Sequence, residues 1–187
     1  LGDLQGPKLR IGEVKENQTL SKGEKITITT EKCLGDSSKI YITYPNFPKD
    51  VEIGDKIMLD DGKLILKAEY SNKKNEVQAV VIQGGELISK KGVNLPNTKI
   101  SLPCLTSKDL ADLEFALETG IEWIGLSFVR SVNDIKELQK IIFNKKSPAK
   151  IVAKIEKPEA IQQIDAIIKK SDAIMVARGD LGVEVPM

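Results

Sequence analysis

The pattern of apolar and polar residues divides the chain into two parts with different periodicities. Between about residues 12 and 103, short runs alternate apolar and polar positions between turn residues, with β-branched residues at every second place. This alternation is typical of half-buried strands, and strands at this spacing predict a small antiparallel barrel or sandwich. Asp61-Gly62 is a hairpin signal. The predicted strands are 25–30, 39–43, 57–59, 63–67 and 76–82.

From residue 106 onward the period is that of alternating helices and strands. Capping boxes, in which Thr or Ser precedes Asp by three positions, open predicted helices at 106–119 and 131–144. Pro158, in a first helical turn, opens a third helix that ends near Lys170. Nearly continuous apolar runs predict buried strands at 121–128, 150–156 and 172–177. This order predicts parallel βαβ units, with a sheet covered on both sides.

The two patterns together predict an α/β fold with an inserted domain. Residues 1–11 form the first segment of a partial α/β barrel, residues 12–103 a small all-β domain, and residues 104–187 the second barrel segment. An open, doubly wound sheet fits the same pattern and is the alternative. Because the chain begins with Leu1 and ends just after its most charged motif, we expect it to be a piece of a longer protein.

Composition excludes several classes of function. The formal net charge is +1, from 28 basic and 27 acidic residues, so no basic stripe favours a nucleic-acid partner. No signal peptide or membrane-spanning run is present, and Cys33 and Cys104 are expected to be ordinary apolar residues of a cytoplasmic protein. Histidine is absent, which excludes Ser-His-Asp triads and His-ligated zinc.

Charged residues follow two neighbouring predicted strands. Lys154 and Glu156 are two positions apart and so face the same way, and Arg178 and Asp180 repeat this spacing. Because parallel strands lie roughly 4.8 Å apart, we expect Glu156 and Asp180 to meet over one ion at the strand ends where barrels carry active sites. Two carboxylates without histidine suit Mg²⁺ or Mn²⁺, and the backbone at Gly179 is open to a small anion.

These and other motifs also have alternative interpretations. Lys154–Glu156 and Arg178–Asp180 are also plausible structural ion pairs, although their equivalent positions on consecutive strands favour function. Arg-Gly-Asp at 178–180 is the tripeptide of adhesion ligands, but those lie on exposed loops. Residues 84–96 are either a solvated turn or a mobile segment whose lysines meet polyphosphate; neither standard glycine-rich phosphate loop is present.

Several stretches resemble pyruvate kinases, in the order of that family and across virtually the whole chain. These stretches are GDLQGPKLR (2–10), LDDGKL (59–64), GGELISKKGVNLP (84–96), GLSFVR (125–130), AKIEKPE (153–159) and SDAIMVARGDLGVEVP (171–186). The last two together are highly specific. The resemblance implies a TIM (β/α)8 barrel with a β-rich lid domain inserted after its third strand. It also implies phosphoryl transfer from phosphoenolpyruvate to ADP, giving pyruvate and ATP in the last step of glycolysis.

The resemblance implies a role for each residue at the strand ends. Glu156 and Asp180 would hold Mg²⁺ or Mn²⁺, and Lys154 would stabilise charge on the phosphoryl group in transfer. The amides of Gly179 and Asp180 would bind the substrate carboxylate, while Arg178 would orient its neighbours.

Further residues are assigned in the same way. Ser127 and Phe128 would form the wall of the site. Arg10 and Lys91 would approach the nucleotide phosphates as the lid closes. The whole protein is expected to be a homo-tetramer, again by resemblance.

The match departs from many family members at the start of the chain. They show Asp-Thr-Lys-Gly-Pro-Glu and need K⁺, whereas residues 3–8 here read Asp-Leu-Gln-Gly-Pro-Lys. Leu4 lacks the hydroxyl that would bind the K⁺ ion beside Asp3. The ammonium of Lys8 is expected to replace the positive charge of that ion. We therefore predict that K⁺ is not required.

The match also lacks the first two barrel strands, a later strand and the C-terminal domain of the family. Four strands cannot close an eight-stranded barrel, so we expect no kinase turnover from this chain alone.

Two rival functions are open. A metal-dependent barrel lyase or aldolase acting on pyruvate enolates would use the same carboxylate pair, but would need neither Arg10 nor the lid lysine. A non-catalytic β-module would instead bind a partner through residues 12–103.

Overall fold

A computed structural model of the chain describes residues 1–185. Pro186, which ends the last motif, and Met187, the end of the second predicted barrel segment, lie outside the described residues. The strands are β1 (Gly2–Leu4), β2 (Gln18–Leu20), β3 (Lys25–Thr29), β4 (Lys39–Tyr41), β5 (Lys56–Leu59), β6 (Leu64–Ser71), β7 (Glu76–Gln83), β8 (Gly85–Leu87), β9 (Val93–Asn94), β10 (Trp123–Leu126), β11 (Lys150–Ile155) and β12 (Ala173–Val176). The helices are α1 (Phe47–Asp50), α2 (Ser107–Glu118), α3 (Val132–Asn144), α4 (Pro158–Gln162), α5 (Ile164–Lys170) and α6 (Arg178–Glu184).

The chain forms two compact units. The α/β unit comprises Leu1–Pro7 and Leu102–Met187, and the β unit comprises Lys8–Ser101. The first barrel segment was predicted to reach residue 11, but the backbones of residues 10 and 11 bond within the β unit. The Arg10 carbonyl accepts from Thr43 N at 2.9 Å, and Ile11 N donates to the Lys91 carbonyl at 3.0 Å. These hydrogen bonds end the barrel segment earlier than the apolar pattern suggested.

The α/β unit is built on one parallel sheet. Its strand order is β1-β10-β11-β12, and every neighbouring pair is parallel. Helix α3 connects β10 to β11, and α4 with α5 connects β11 to β12. Buried apolar side chains from β1, β10, β11 and the helices form one core, which includes Leu4, Leu113, Ile124 and Leu138. The predicted parallel βαβ units are therefore confirmed.

Both predicted capping boxes are present. Thr106 and Asp109 cap α2 reciprocally, and Ser131 and Asp134 do the same for α3. Asp109 is fully buried and also accepts a hydrogen bond from Gly6 N at 3.1 Å. One carboxylate therefore fixes the start of α2 and the chain that leaves β1. Within residues 1–185, no helix has both the length and the apolar character needed to cross a membrane.

The helix predicted from Pro158 to Lys170 is interrupted. Gln163 leaves helical geometry, with φ −118° and ψ 19°, and separates α4 from α5. Ala160 N bonds to the Lys157 carbonyl and Gln163 N to the Ala160 carbonyl, which are three-residue steps. Such 3₁₀-type bonds tighten α4, so it ends and the chain starts a new helix.

Strand β12 was predicted to be buried, but it lies at the edge of the sheet. Ile174, Met175 and Val176 are 40%, 39% and 54% exposed. The strand pairs with β11 alone among the described residues, so its apolar side chains are exposed because the sheet extends no further in residues 1–185.

The β unit is a small barrel, one of the two forms that the strand spacing predicted. Six strands pair in the order β4-β3-β7-β6-β5-β9, antiparallel except for β3 with β4, and β2 pairs with β8. The segment before the first of these strands joins the two edges. Gly12 N donates to the Tyr41 carbonyl at 2.8 Å beside β4, and Val93 N of β9 donates to the Leu9 carbonyl at 3.0 Å. The predicted Asp61-Gly62 hairpin connects β5 and β6.

We expect Asp109→Ala to destabilise the α/β unit by about 3 kcal/mol, because the buried amide of Gly6 and the partly buried amide of Thr106 lose their charged acceptor. Thr106→Ala removes only the cap and should cost about 1 kcal/mol. Urea unfolding followed by Trp123, the only tryptophan, measures this unit selectively.

Asp112→Ala is the matched control, since Asp112 lies on the exposed face of the same helix. Its effect should stay within about 0.5 kcal/mol. Equal effects of Asp109→Ala and Asp112→Ala would contradict the structural role of Asp109.

Candidate active site

The centre of the site is an ion pair at the end of β11. Lys154 Nζ lies 3.2 Å from Glu156 Oε1, and their side chains are 15% and 3% exposed. The two residues are two positions apart on an extended backbone, so they share one face of the sheet. The predicted common orientation of Lys154 and Glu156 is confirmed.

Two neighbouring strands bring further polar groups to Lys154. Its Nζ donates to Asp3 Oδ1 at 3.0 Å and to Ser127 Oγ at 2.8 Å. Asp3 lies on β1, and Ser127 follows the last residue of β10. Three adjacent parallel strands thus converge on one ammonium group at their carboxyl ends, the position of active sites in α/β barrels.

Phe128 fixes the other oxygen of Glu156. Its backbone N–H donates to Glu156 Oε2 at 3.0 Å, and its φ is +55°, in the left-handed region that non-glycine residues seldom adopt. A Cβ at Gly6 would lie only 2.7 Å from the Phe128 ring, so the close approach depends on glycine there. The buried Cys104 thiol donates to the Ser127 carbonyl at 3.2 Å and also holds this wall. Cys104 was expected to be an ordinary apolar residue, but it has this polar contact as well.

The electrostatics keep Lys154 charged. Burial alone would lower its pKa, but the hydrogen bond to Asp3 and the charges of Glu156 and Asp3 outweigh burial and raise the Lys154 pKa above its ordinary value. An amine that is protonated near neutral pH in a partly desolvated site stabilises negative charge that develops nearby.

The last motif begins a helix. Strand β12 ends at Val176 and α6 starts at Arg178, so Arg178 and Asp180 do not continue the strand as their spacing suggested. The Arg-Gly-Asp tripeptide lies in the first turn of α6, and all three residues are exposed. No ion pair joins Arg178 to Asp180 within residues 1–185. Amides in a first helical turn have no intrahelical partner, which leaves those of Gly179 and Asp180 available.

The backbone places Glu156 and Asp180 on neighbouring repeats. Ala177 N donates to the Ile155 carbonyl at 3.2 Å, which joins the end of β11 to the start of α6. No cluster of three or more acidic or cysteine side chains suited to a metal occurs in residues 1–185. Mg²⁺ is commonly held by one or two carboxylates together with water and substrate phosphates, so the carboxylates of Glu156 and Asp180 are the right type of ligand for such an ion. In this structure the Glu156 oxygens bind Lys154 and the Phe128 amide, and Asp180 is exposed on α6.

The two predicted nucleotide-binding residues lie side by side in the β unit. Arg10 forms an isolated antiparallel bridge with Gly92, the residue after Lys91. Arg10 Nη1 donates to the Lys90 carbonyl at 2.8 Å, and Lys91 Nζ lies 3.0 Å from Asp60 Oδ1. Residues 84–96, considered a solvated turn or a mobile segment, contain β8 and β9.

The predicted monovalent-cation region falls in both units. Asp3 belongs to the α/β unit, where its carboxylate is engaged by Lys154, and Lys8 is the exposed first residue of the β unit. Leu4 is 2% exposed in the core and offers no oxygen ligand. The contact of Asp3 with Lys154 was not predicted.

Sequence reasoning also missed a buried ion pair. Lys157 Nζ lies 2.6 Å from Glu184 Oε1, with side chains 8% and 2% exposed, and Nζ is 6.0 Å from the centre of the Phe128 ring. The signal in the sequence was Lys157, a lysine directly after Glu156 and two residues beyond the end of β11. Asp60 was likewise given no role, although it lies in the LDDGKL stretch (59–64).

Comparison with known proteins identifies the family. The family described as "Pyruvate kinase, barrel domain" matches residues 1–187. Curated relatives named pyruvate kinase are 43% identical in Thermococcus litoralis and 45% identical in Corynebacterium efficiens, each over 100% of this chain and 39% and 40% of the relative. One from Geobacillus stearothermophilus is 41% identical over 98% of this chain and 32% of its own.

The chain therefore belongs to the pyruvate kinase family, and it spans about two fifths or less of the length of these relatives. The match, together with the parallel sheet and the β unit, confirms the predicted fold class: a partial TIM barrel with an inserted β-rich domain.

Because the folded pKa of Lys154 is raised above its unfolded value, its stabilising charge is fully present below the unfolded pKa and is lost as pH rises through the folded pKa. We expect Lys154→Met to lower stability by a constant amount between about pH 7 and 9, and by less above about pH 10.4. Urea unfolding of both proteins across this range measures the difference.

A stability difference that instead grows above pH 10.4 would contradict the raised pKa. Lys140→Met on α3 is a control because Lys140 is exposed; its pH profile should match that of the wild type.

Proposed function

We propose that the full-length protein containing this chain transfers a phosphoryl group from phosphoenolpyruvate to ADP, giving pyruvate and ATP. The observation that carries the proposal is the Lys154 ammonium, held by Glu156, Ser127 and Asp3 where three parallel strands end. A charged amine that is partly withdrawn from water suits a reaction in which negative charge moves between oxygens. The family of the chain supports the same reaction.

The residues at the strand ends would divide the chemistry. Lys154 would stabilise charge on the phosphoryl group in transfer, and the Gly179 and Asp180 amides would hold the substrate carboxylate. Glu156 and Asp180 would hold Mg²⁺ or Mn²⁺. When bound, such an ion neutralises charge on phosphoryl and enolate oxygens. Arg178 would orient this segment.

The remaining residues would enclose the substrates. Ser127 and Phe128 would form the wall of the site, supported by the hydrogen bonds of Ser127 to Lys154 and of Phe128 to Glu156. Arg10 and Lys91 would bind the nucleotide phosphates from the β unit. Their positions on adjacent segments support this assignment. Closure of the β unit over the site would exclude water and prevent hydrolysis.

The proposed activity belongs to the whole protein and not to these 187 residues. The parallel sheet described here has four strands, and an eight-stranded barrel needs more chain, so the chain alone is proposed to be inactive. A cytoplasmic homo-tetramer is proposed on the resemblance alone.

In the full-length protein, Glu156→Gln and Asp180→Asn should each lower kcat/KM by at least about 100-fold and shift the Mg²⁺ dependence to higher concentration. Each variant loses one carboxylate ligand while keeping the shape of its side chain. Pyruvate formation, assayed against Mg²⁺ concentration with and without ADP, measures both effects.

Asp165→Asn serves as the control because Asp165 is exposed on α5, and it should behave as the wild type. The 187-residue chain is the negative control. Pyruvate release that proceeds without ADP would favour the lyase or aldolase and defeat the kinase proposal.

We expect the full-length enzyme to work without K⁺, because Leu4 is buried and its side chain has no oxygen ligand, and Lys8 supplies a positive charge. Activity in buffer free of Na⁺ and K⁺ should change by less than about twofold when KCl is added. Lys8→Glu should lose activity in that buffer and recover with KCl. A large activation of the wild type by KCl would refute the assignment.

A further inference from the structure

Asp60 is a nearly buried carboxylate in a turn, where an acidic side chain is usually solvated. Its side chain is 9% exposed, and its φ is +50°. Asp60 Oδ1 lies 3.0 Å from Lys91 Nζ and Oδ2 lies 2.9 Å from Lys63 Nζ. A carboxylate removed from water is costly unless such partners compensate it, so both lysines are fixed to this group.

The backbone explains why Asp60 meets Lys91. Strand β5 pairs with β9, which sets Leu59 opposite Val93. Asp60 N then donates to the Gly92 carbonyl at 3.1 Å. Asp60 therefore stands next to the segment that carries Lys91, on the side opposite to the Arg10 bridge.

We propose that Asp60 is a positioning residue that holds Lys91 ready for the nucleotide phosphates; this inference rests on the proposed function. An ammonium group has three donors, so Lys91 can keep its bond to Asp60 while it offers the others to a phosphate. Its side chain is 36% exposed and therefore accessible. Without Asp60, a free lysine side chain loses its rotamer freedom only when the nucleotide binds, which weakens binding.

Asp60→Gly and Asp60→Asn in the full-length protein separate this role from others. Glycine and asparagine both accept a positive φ, so neither variant introduces backbone strain at position 60. Asn keeps an oxygen acceptor for Lys91, whereas Gly removes it. We expect Asp60→Gly to raise KM for ADP about tenfold with kcat changed by less than about twofold, and Asp60→Asn to retain most of the wild-type affinity.

Two further variants complete the test. Lys63→Ala releases only Oδ2 and leaves the contact of Oδ1 with Lys91, so KM for ADP should stay at the wild-type value. In a Lys91→Met background, Asp60→Gly should cause no additional rise in KM. A merely structural role of Asp60 would lower activity in both backgrounds.

Each other outcome overturns the inference. If Asp60→Gly and Asp60→Asn both lower KM, Asp60 competes with the nucleotide for Lys91 and does not position it. If Lys91→Met raises KM but Asp60→Gly does not, the inference fails while the role of Lys91 stands. If Lys91→Met itself has no effect, the assignment of Lys91 in the proposed function fails first.

Discussion

The α/β unit depends on the compensation of one buried carboxylate. Glu156 is 3% exposed, and a charge in that position costs several kcal/mol unless it is paired and hydrogen-bonded. Lys154 supplies the opposite charge, and the Phe128 amide satisfies the second oxygen. That amide points at Glu156 because Phe128 adopts a left-handed conformation, which is stabilised by close packing against Gly6. The ion pair of Lys154 with Glu156 and the left-handed backbone of Phe128 therefore both compensate the same buried carboxylate.

The sequence predicted those features that depend on local periodicity. Alternation along β11 placed Lys154 and Glu156 on one face, and the capping motifs placed the starts of α2 and α3 correctly. The contact of Asp3 with Lys154 joins residues 151 positions apart and depends on the register of β1, β10 and β11, which a local pattern does not contain. The exposure of β12 was missed for a related reason. Apolar composition reports what a strand can pack against, not which neighbours are present.

In the β unit, too, local sequence patterns do not contain the long-range contacts. The hairpin at Asp61-Gly62 follows from turn chemistry, and the structure contains it. The charge of Asp60 matters only because closure of the barrel brings β9 alongside β5. Likewise, Arg10 Nη1 donates to the carbonyl of Lys90, 80 residues along the chain, beside the Arg10–Gly92 bridge that closes the barrel. Closure of this small barrel thus gathers positive side chains that the sequence presents as separate motifs.

Gly6 constrains how this family member can change over time. Its φ is +68°, and any side chain there would also drive a Cβ to 2.7 Å from the Phe128 ring. A replacement would have to move Phe128, and with it the amide bonded to Glu156, whereas Gly92 and Gly182 have no atom near an added Cβ. Purifying selection at position 6 would therefore act through shape and not through reactivity, and an inert residue would be as invariant as the acid it supports.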